Sequence, residues 1–210
     1  MNGFIDLDVQ NYVESFYDFK ELDSMQSYAE ENYVPIVSKD TAMFISFLVN
    51  IKKPSNILEL GSAIGYSSIL MAKSYKETKI DTVERNEDML ALSEKNILKH
   101  GLTDRIKVYL SDANDYLKSC KNTYDMIFID AGKSHYKEYL VNGLKLLKED
   151  GIILCDNVLF KGYIAKDIDI KKHRTTINNL KSFMDYLKER EDLKVSILTV
   201  GDGLALIRRK

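Results

Sequence analysis

The chain has 210 residues, 45% of them hydrophobic and 30% charged, with 30 Lys and Arg against 32 Asp and Glu for a formal net charge of -2. That is the composition of a globular chain rather than a disordered one, and its near-neutral charge excludes a global pull toward nucleic acid or membrane, leaving only a local basic patch. Two cysteines, Cys120 and Cys155, make neither a disulfide framework nor a CxxC pair, no apolar run nears the roughly 18 residues of a membrane span, and the start MNGFIDLDVQ carries no secretory pattern, so a reduced cytoplasmic protein is expected.

Only Pro35 and Pro54 interrupt the chain, and no linker or internal repeat divides it. One domain is expected over 1–210, with a helical arm and cap over 1–53 and a core over 54–210. Residues 7–19 and 21–32 contain no Gly or Pro and predict two arm helices; a third is expected from Asp40 to Ile51, with Met43, Phe44, Phe47 and Leu48 on one face. From Ser55 onward, apolar runs at Asn56–Leu60, Ile80–Val83, Ile106–Leu110, Met126–Ile129 and Ile152–Cys155 read as buried strands. Helical stretches around 66–75, 87–99, 112–120 and 134–148 separate them, which predicts a parallel, doubly wound α/β sheet. After a helix at about 174–190, strands at Val195–Val200 and Leu204–Arg208 are joined by Gly201-Asp202-Gly203. So short a connection makes an antiparallel hairpin, and a parallel sheet finished that way suits a methyltransferase-type fold better than a dinucleotide-binding one.

The first strand runs into Glu59-Leu60-Gly61-Ser62-Ala63-Ile64-Gly65-Tyr66-Ser67. A dinucleotide fingerprint would be GxGxxG; Ala63 replaces its middle glycine, which removes the close seat for a pyrophosphate. Glu59 near that turn suits a cation and repels a phosphate. The second strand ends in Glu84, about 20 residues on, where an acid accepts from ribose hydroxyls, and Ser111-Asp112-Ala113 follows the third, placed for an adenine edge. Each acid alone is as readily a helix cap. Together they argue for an adenosine ligand with a cationic linker, S-adenosylmethionine.

The fourth strand ends in Asp130-Ala131-Gly132-Lys133-Ser134-His135-Tyr136 and the fifth in Asp156-Asn157. Two carboxylates and an amide, without His or Cys, suit a hard cation such as Mg²⁺, although an Asp-Asn pair equally shapes a turn. Lys133, three positions after Asp130, reaches the same place. Neighbouring positive charge would favour its neutral form, the form a general base needs.

ELGSAIGYSS, ERNEDML, FIDAGKSHY and CDNVLFKG together resemble the cation-dependent O-methyltransferase family of catechol and caffeoyl-CoA methyltransferases, from about Val34 to the C-terminus. The resemblance implies a class I S-adenosylmethionine-dependent, Rossmann-like fold with a seven-stranded sheet. It also implies that Val37, Glu59, Gly61, Ser67, Glu84, Asp112, Ala113 and Asp130 surround the cofactor, that Asp130, Asp156 and Asn157 hold Mg²⁺, that Lys133 is catalytic, and that the protein is a homodimer. YAEENYVPIVSKD, DNVLFKGYIAKD and VGDGLAL bring it nearest to the bacterial tRNA 5-hydroxyuridine methyltransferases within that family. The core chemistry does not separate the two acceptors, because a catechol and a 5-hydroxyuridine both offer a hydroxyl beside a second oxygen. The periphery favours the tRNA anticodon loop: Lys161, Lys166, Lys171, Lys172, His173 and Arg174 follow the Asp-Asn pair, with Asp167 and Asp169 among them, and Tyr163, Tyr136 and His135 are candidates to stack an extruded base. A small catechol or phenol is the alternative acceptor.

Overall fold

The computed structural model describes residues 7–166 and 170–210; Asp167 and Asp169 therefore lie outside the described residues. In chain order it has α1 (Leu7–Glu14), α2 (Asp23–Glu31), α3 (Lys39–Lys52), β1 (Asn56–Leu60), α4 (Tyr66–Ser74), β2 (Lys79–Glu84), α5 (Glu87–Lys99) and β3 (Ile106–Leu110). Then follow α6 (Ala113–Ser119), β4 (Tyr124–Ile129), α7 (Tyr136–Leu146), β5 (Leu147–Cys155), α8 (Arg174–Glu189), β6 (Leu193–Leu198) and β7 (Leu204–Arg209). The seven strands form one sheet in the order β3-β2-β1-β4-β5-β7-β6, parallel except for β7, which runs antiparallel to both β5 and β6. The parallel sheet with a closing hairpin is the architecture expected from the sequence.

Because strand side chains alternate, each strand feeds two cores. Ile57, Met126, Phe128, Leu154 and Leu204 point to the face covered by α3, α4 and the arm, whereas Leu58, Leu60, Ile127, Ile129 and Ile153 point to the face covered by α7 and α8. Full burial of each such aliphatic side chain stabilises by about 1.5–3 kcal/mol. Among the described residues no helix is long and apolar enough to cross a membrane.

Two expectations shift. The first arm helix ends at Glu14 rather than running to 19, and Tyr17 and Phe19 turn back toward the core, where the Tyr17 hydroxyl meets that of Tyr66. The helix expected over 134–148 ends at Leu146, and β5 starts at Leu147 instead of Ile152. Helix-favouring Lys148 and Glu149 are overridden by tertiary partners: Lys148 pairs with Asp125 at 2.9 Å, Leu147 sits beside Tyr124, and the Arg209 guanidinium donates to the Leu147 carbonyl at 3.0 Å.

Candidate functional site

The chain moves outward from β1 to β3 and returns to β4, so the crevice opens at the carboxyl ends of β1 and β4. Backbone bonds continue the ladder one residue past the strands and set the site residues at one height. Gly61 N–H donates to Val83 O (2.9 Å), Asp130 N–H to Leu60 O (3.0 Å), Ser111 N–H to Glu84 O (2.9 Å) and Asp156 N–H to Ile129 O (3.0 Å). Above this edge lies a cavity of about 360 Å³.

Of the expected cofactor residues, Gly61, Glu84, Asp112, Ala113 and Asp130 line this cavity. Glu84 organises the turn itself, accepting from Ala63 N–H at 3.0 Å with one oxygen and from Arg85 and Asn86 N–H at 2.9 Å with the other. Asp112 also caps α6, accepting from Asn114 N–H at 2.8 Å, so the capping and lining readings hold together. Gly61 has φ +98°, and a Cβ there would lie 2.6 Å from the Asp130 carbonyl oxygen. Gly61→Ala should therefore cost about 2–4 kcal/mol from left-handed strain plus overpacking. A thermal melt should show Tm lower by roughly 5–15 °C; an unchanged melt would refute the tight packing of this turn on Asp130.

Three expected residues lie behind the wall. Glu59 shares the α4 face of β1 with Ile57 and is wholly buried; its Oε2 accepts from the Ser68 and Thr82 hydroxyls, and its Oε1 has no partner. Burial pushes its carboxyl up, against the hydroxyl donors. Ser67 is buried beside it at the start of α4. Val37 is in the core, and the arm reaches the cavity instead through Val34, Pro35 and Ile36. Other lining residues escaped the sequence reading: Arg85 and Met89, placed by the turn that Asn86 caps through Met89 N–H at 3.0 Å, and Tyr139 on α7. Arg85 had a usable signal, since it directly follows the acid that ends β2.

The same cavity is lined by Lys133 and Asn157 as well as Asp130, with Asp156 buried next to them. Burial and the neighbouring Asp156 carboxylate drive the Asp130 carboxyl well above its ordinary range. Asp156 is pushed up to about 6 by burial, with the Asn157 N–H bond and the Lys133 charge opposing. Lys133 opens a short 3₁₀ turn, Lys133–His135, and is the cation that offsets both aspartates. Among the described residues no three His, Cys, Asp or Glu side chains gather as a metal site; the set here is two carboxylates and an amide. That donor set fits a hard divalent cation that keeps water ligands, and two buried acids whose proton affinity is raised are what such a charge would relieve.

The loop after β5 is unusual. Asn157, Phe160 and Lys161 have φ of 55°, 46° and 56°, left-handed values costing on the order of 1–2 kcal/mol each outside glycine. Phe160, Tyr163 and His173 form a ring cluster there, with centroids 5.8 Å apart for Phe160 and Tyr163 and 5.4 Å for Phe160 and His173. Lys161, Lys171, Lys172 and Arg174 are exposed around it. Tyr136 is a correction: it is 1% exposed, donates to the Asp156 carbonyl at 2.7 Å and packs edge-on against Phe183, so it has no face to offer a base. His135 is exposed and pairs with Glu138 at 3.2 Å.

The family described as O-methyltransferase matches residues 7–210. The chain belongs to the O-methyltransferase family. A catechol O-methyltransferase of Niastella koreensis is 31% identical over 98% of this chain and 98% of its own length. A caffeoyl-CoA O-methyltransferase of Populus kitakamiensis is 32% identical over 82% of this chain and 77% of its own. Among solved structures, a Podospora anserina methyltransferase with S-adenosylhomocysteine bound superposes with TM-score 0.87 at 26% identity, covering 98% of this chain and 97% of that one. The sheet with its antiparallel β7 is thus the Rossmann-like fold of the O-methyltransferases.

Proposed function

We propose that the protein is an S-adenosylmethionine- and Mg²⁺-dependent O-methyltransferase whose acceptor is 5-hydroxyuridine at the wobble position of tRNA, giving 5-methoxyuridine. The observation that carries the methyltransferase reading is the meeting of two sets of residues in one cavity: Gly61, Glu84 and Asp112 together with Asp130, Lys133 and Asn157. Glu84 and Asp112 suit the ribose and adenine, and the Val34–Ile36 segment lines the same cavity, so the arm and the core act as one domain. When bound, S-adenosylmethionine supplies an electrophilic sulfonium methyl, and a divalent cation held by Asp130, Asp156 and Asn157 supplies the charge that acidifies and orients the acceptor hydroxyl. Lys133 Nζ takes the hydroxyl proton as the methyl–oxygen bond forms and the carbon–sulfur bond breaks.

The tRNA acceptor is supported by the periphery. The ring cluster of Phe160, Tyr163 and His173 adjoins the loop of Asn157, and exposed lysines surround it where phosphates of a splayed loop would lie. A small catechol or phenol is the second reading, favoured by the relatives' names. The deciding experiment is labelled methyl transfer to tRNA bearing unmethylated 5-hydroxyuridine, run beside catechol and caffeoyl-CoA. Label at the wobble uridine supports the first reading; label only on the phenols moves the acceptor to the second. Lys171→Ala with Lys172→Ala should raise the tRNA KM and reduce the slope of its salt dependence by about 1.4–1.8, at roughly 0.7–0.9 per phosphate contact; neither change would assign these lysines to ordinary solvated surface.

A cytoplasmic homodimer completes the reading. Tyr12 and Phe16 of the arm and Phe47 and Ile51 of α3 are each more than 60% exposed, at 67%, 65%, 66% and 63%, more apolar surface than the arm of a monomer needs to show. Light scattering on the purified protein tests the subunit number.

A further inference from the structure

We propose that the tip of the closing hairpin positions the acceptor side of the site, with Asp202 as the positioning residue that holds the 157–161 loop in its left-handed course; the functional part of this inference rests on the reading of Asn157 as a cation ligand. The loop carries three left-handed non-glycine residues in five, and three of its amides, at Val158, Leu159 and Lys161, find their partners on the hairpin. Val158 N–H donates to Gly203 O at 2.9 Å, Leu159 N–H donates to Asp202 O at 3.0 Å, and Lys161 N–H donates to Asp202 Oδ1. The approach leaves no room: Gly203 has φ +88°, and a Cβ there would lie 2.3 Å from Leu159 Cγ.

The same tip is pinned from the opposite side by the arm. Gly201 N–H donates to Asp40 Oδ2 at 2.7 Å, while Asp40 Oδ1 accepts from Thr41 N–H at 2.8 Å and Ser38 Oγ at 2.5 Å. Residues 38–41 open α3 directly after the Val34–Ile36 wall of the cavity. The tip therefore ties the Val34–Ile36 wall of the cavity to the loop that carries Asn157 and Phe160. Two of the three loop bonds end on backbone carbonyls that any residue would provide. The third needs a side-chain acceptor, so Asp202 is where the hold can be released without rebuilding the hairpin. It is half-buried, and the charges of Lys133 and Lys161 act on its carboxylate.

The test uses the full chain as Asp202→Ala and Asp202→Asn, with three readouts: Mn²⁺ binding followed by electron paramagnetic resonance, amide hydrogen exchange, and S-adenosylhomocysteine affinity. Asp202→Ala should speed exchange at Val158, Leu159 and Lys161 and weaken Mn²⁺ binding, each about tenfold, the scale of one charge-assisted hydrogen bond. Its S-adenosylhomocysteine affinity should stay within about twofold, since Glu84 and Asp112 are held by other bonds. Asp202→Asn should restore exchange and Mn²⁺ binding, because its amide oxygen accepts the same N–H. Unchanged exchange at the three amides in Asp202→Ala overturns the proposal, as does an Asn variant as impaired as Ala. A uniform loss that includes S-adenosylhomocysteine affinity and global exchange also overturns it, marking Asp202 as a general folding residue. Should the unsubstituted protein bind no Mn²⁺, the cation reading fails by itself, while the exchange data still decide whether Asp202 holds the loop.

Discussion

Asp130→Asn lowers kcat/KM by about 10³-fold or more, and in the metal-free protein it raises Tm at pH 8. The two effects have one origin. Asp130 and Asp156 are buried acids at the ends of β4 and β5; burial raises both, Asp156 adds to the rise at Asp130, Asp202 and Asp40 add to that at Asp156, and Lys133 offsets both. A cation held between them is worth several kcal/mol to a developing charge, and about 4 kcal/mol is 10³ in rate. Without the cation the same arrangement is a cost to folding. The sign follows from the raised folded-state value: unfolded, Asp130 titrates near about 3.9, so its contribution to stability is complete below that pH and is lost as pH rises through the folded-state value. Asparagine never ionises, so the Tm gap should open as pH rises above the unfolded-state value and close again at the acid end. Added Mg²⁺ should then raise the Tm of the unsubstituted protein much more than that of the variant. A variant that melts lower than the parent at pH 8 would mean that Asp130 is a packing residue, and full turnover in saturating Mg²⁺ would remove it from the reaction.

Much of this site could be read without coordinates because its residues sit where strands end. Asp130, Asp156 and Asn157 each follow an aliphatic run, and a parallel sheet sends every such run to the same edge, so sequence position translates directly into proximity. What was illegible depends on which way a side chain turns. Glu59 lies two residues before the glycine turn, yet alternation along β1 places it on the α4 face among Ser68 and Thr82, beneath the cavity. Tyr136 looks like a stacking residue from its place beside His135, but the turn into α7 aims it at Phe183. Val37 gives way to Val34, Pro35 and Ile36 because the arm approaches the cavity before α3 begins. The early start of β5 was hidden for another reason: Lys148 and Glu149 favour a helix locally, and only Asp125 and Arg209, distant in sequence, make them a strand.

Lys133→Ala should cut kcat by about 10²–10⁴-fold while binding Mn²⁺ at least as tightly as the parent. Removing the Lys133 charge, which offsets Asp130 and Asp156, leaves more negative charge for the metal, so affinity and turnover should move in opposite directions. A residue that merely stabilised the metal site would lose both. A substitution that keeps the charge separates the remaining roles, because a base must shed its proton before it can accept one from the acceptor hydroxyl. Lys133→Arg supplies the control, since guanidinium keeps the positive charge but cannot be deprotonated in a protein. If Arg is as slow as Ala, proton transfer at Nζ is the function of Lys133. If Arg restores most of the rate, its charge alone is at work, and the proton must leave the acceptor through solvent at the open rim of the cavity.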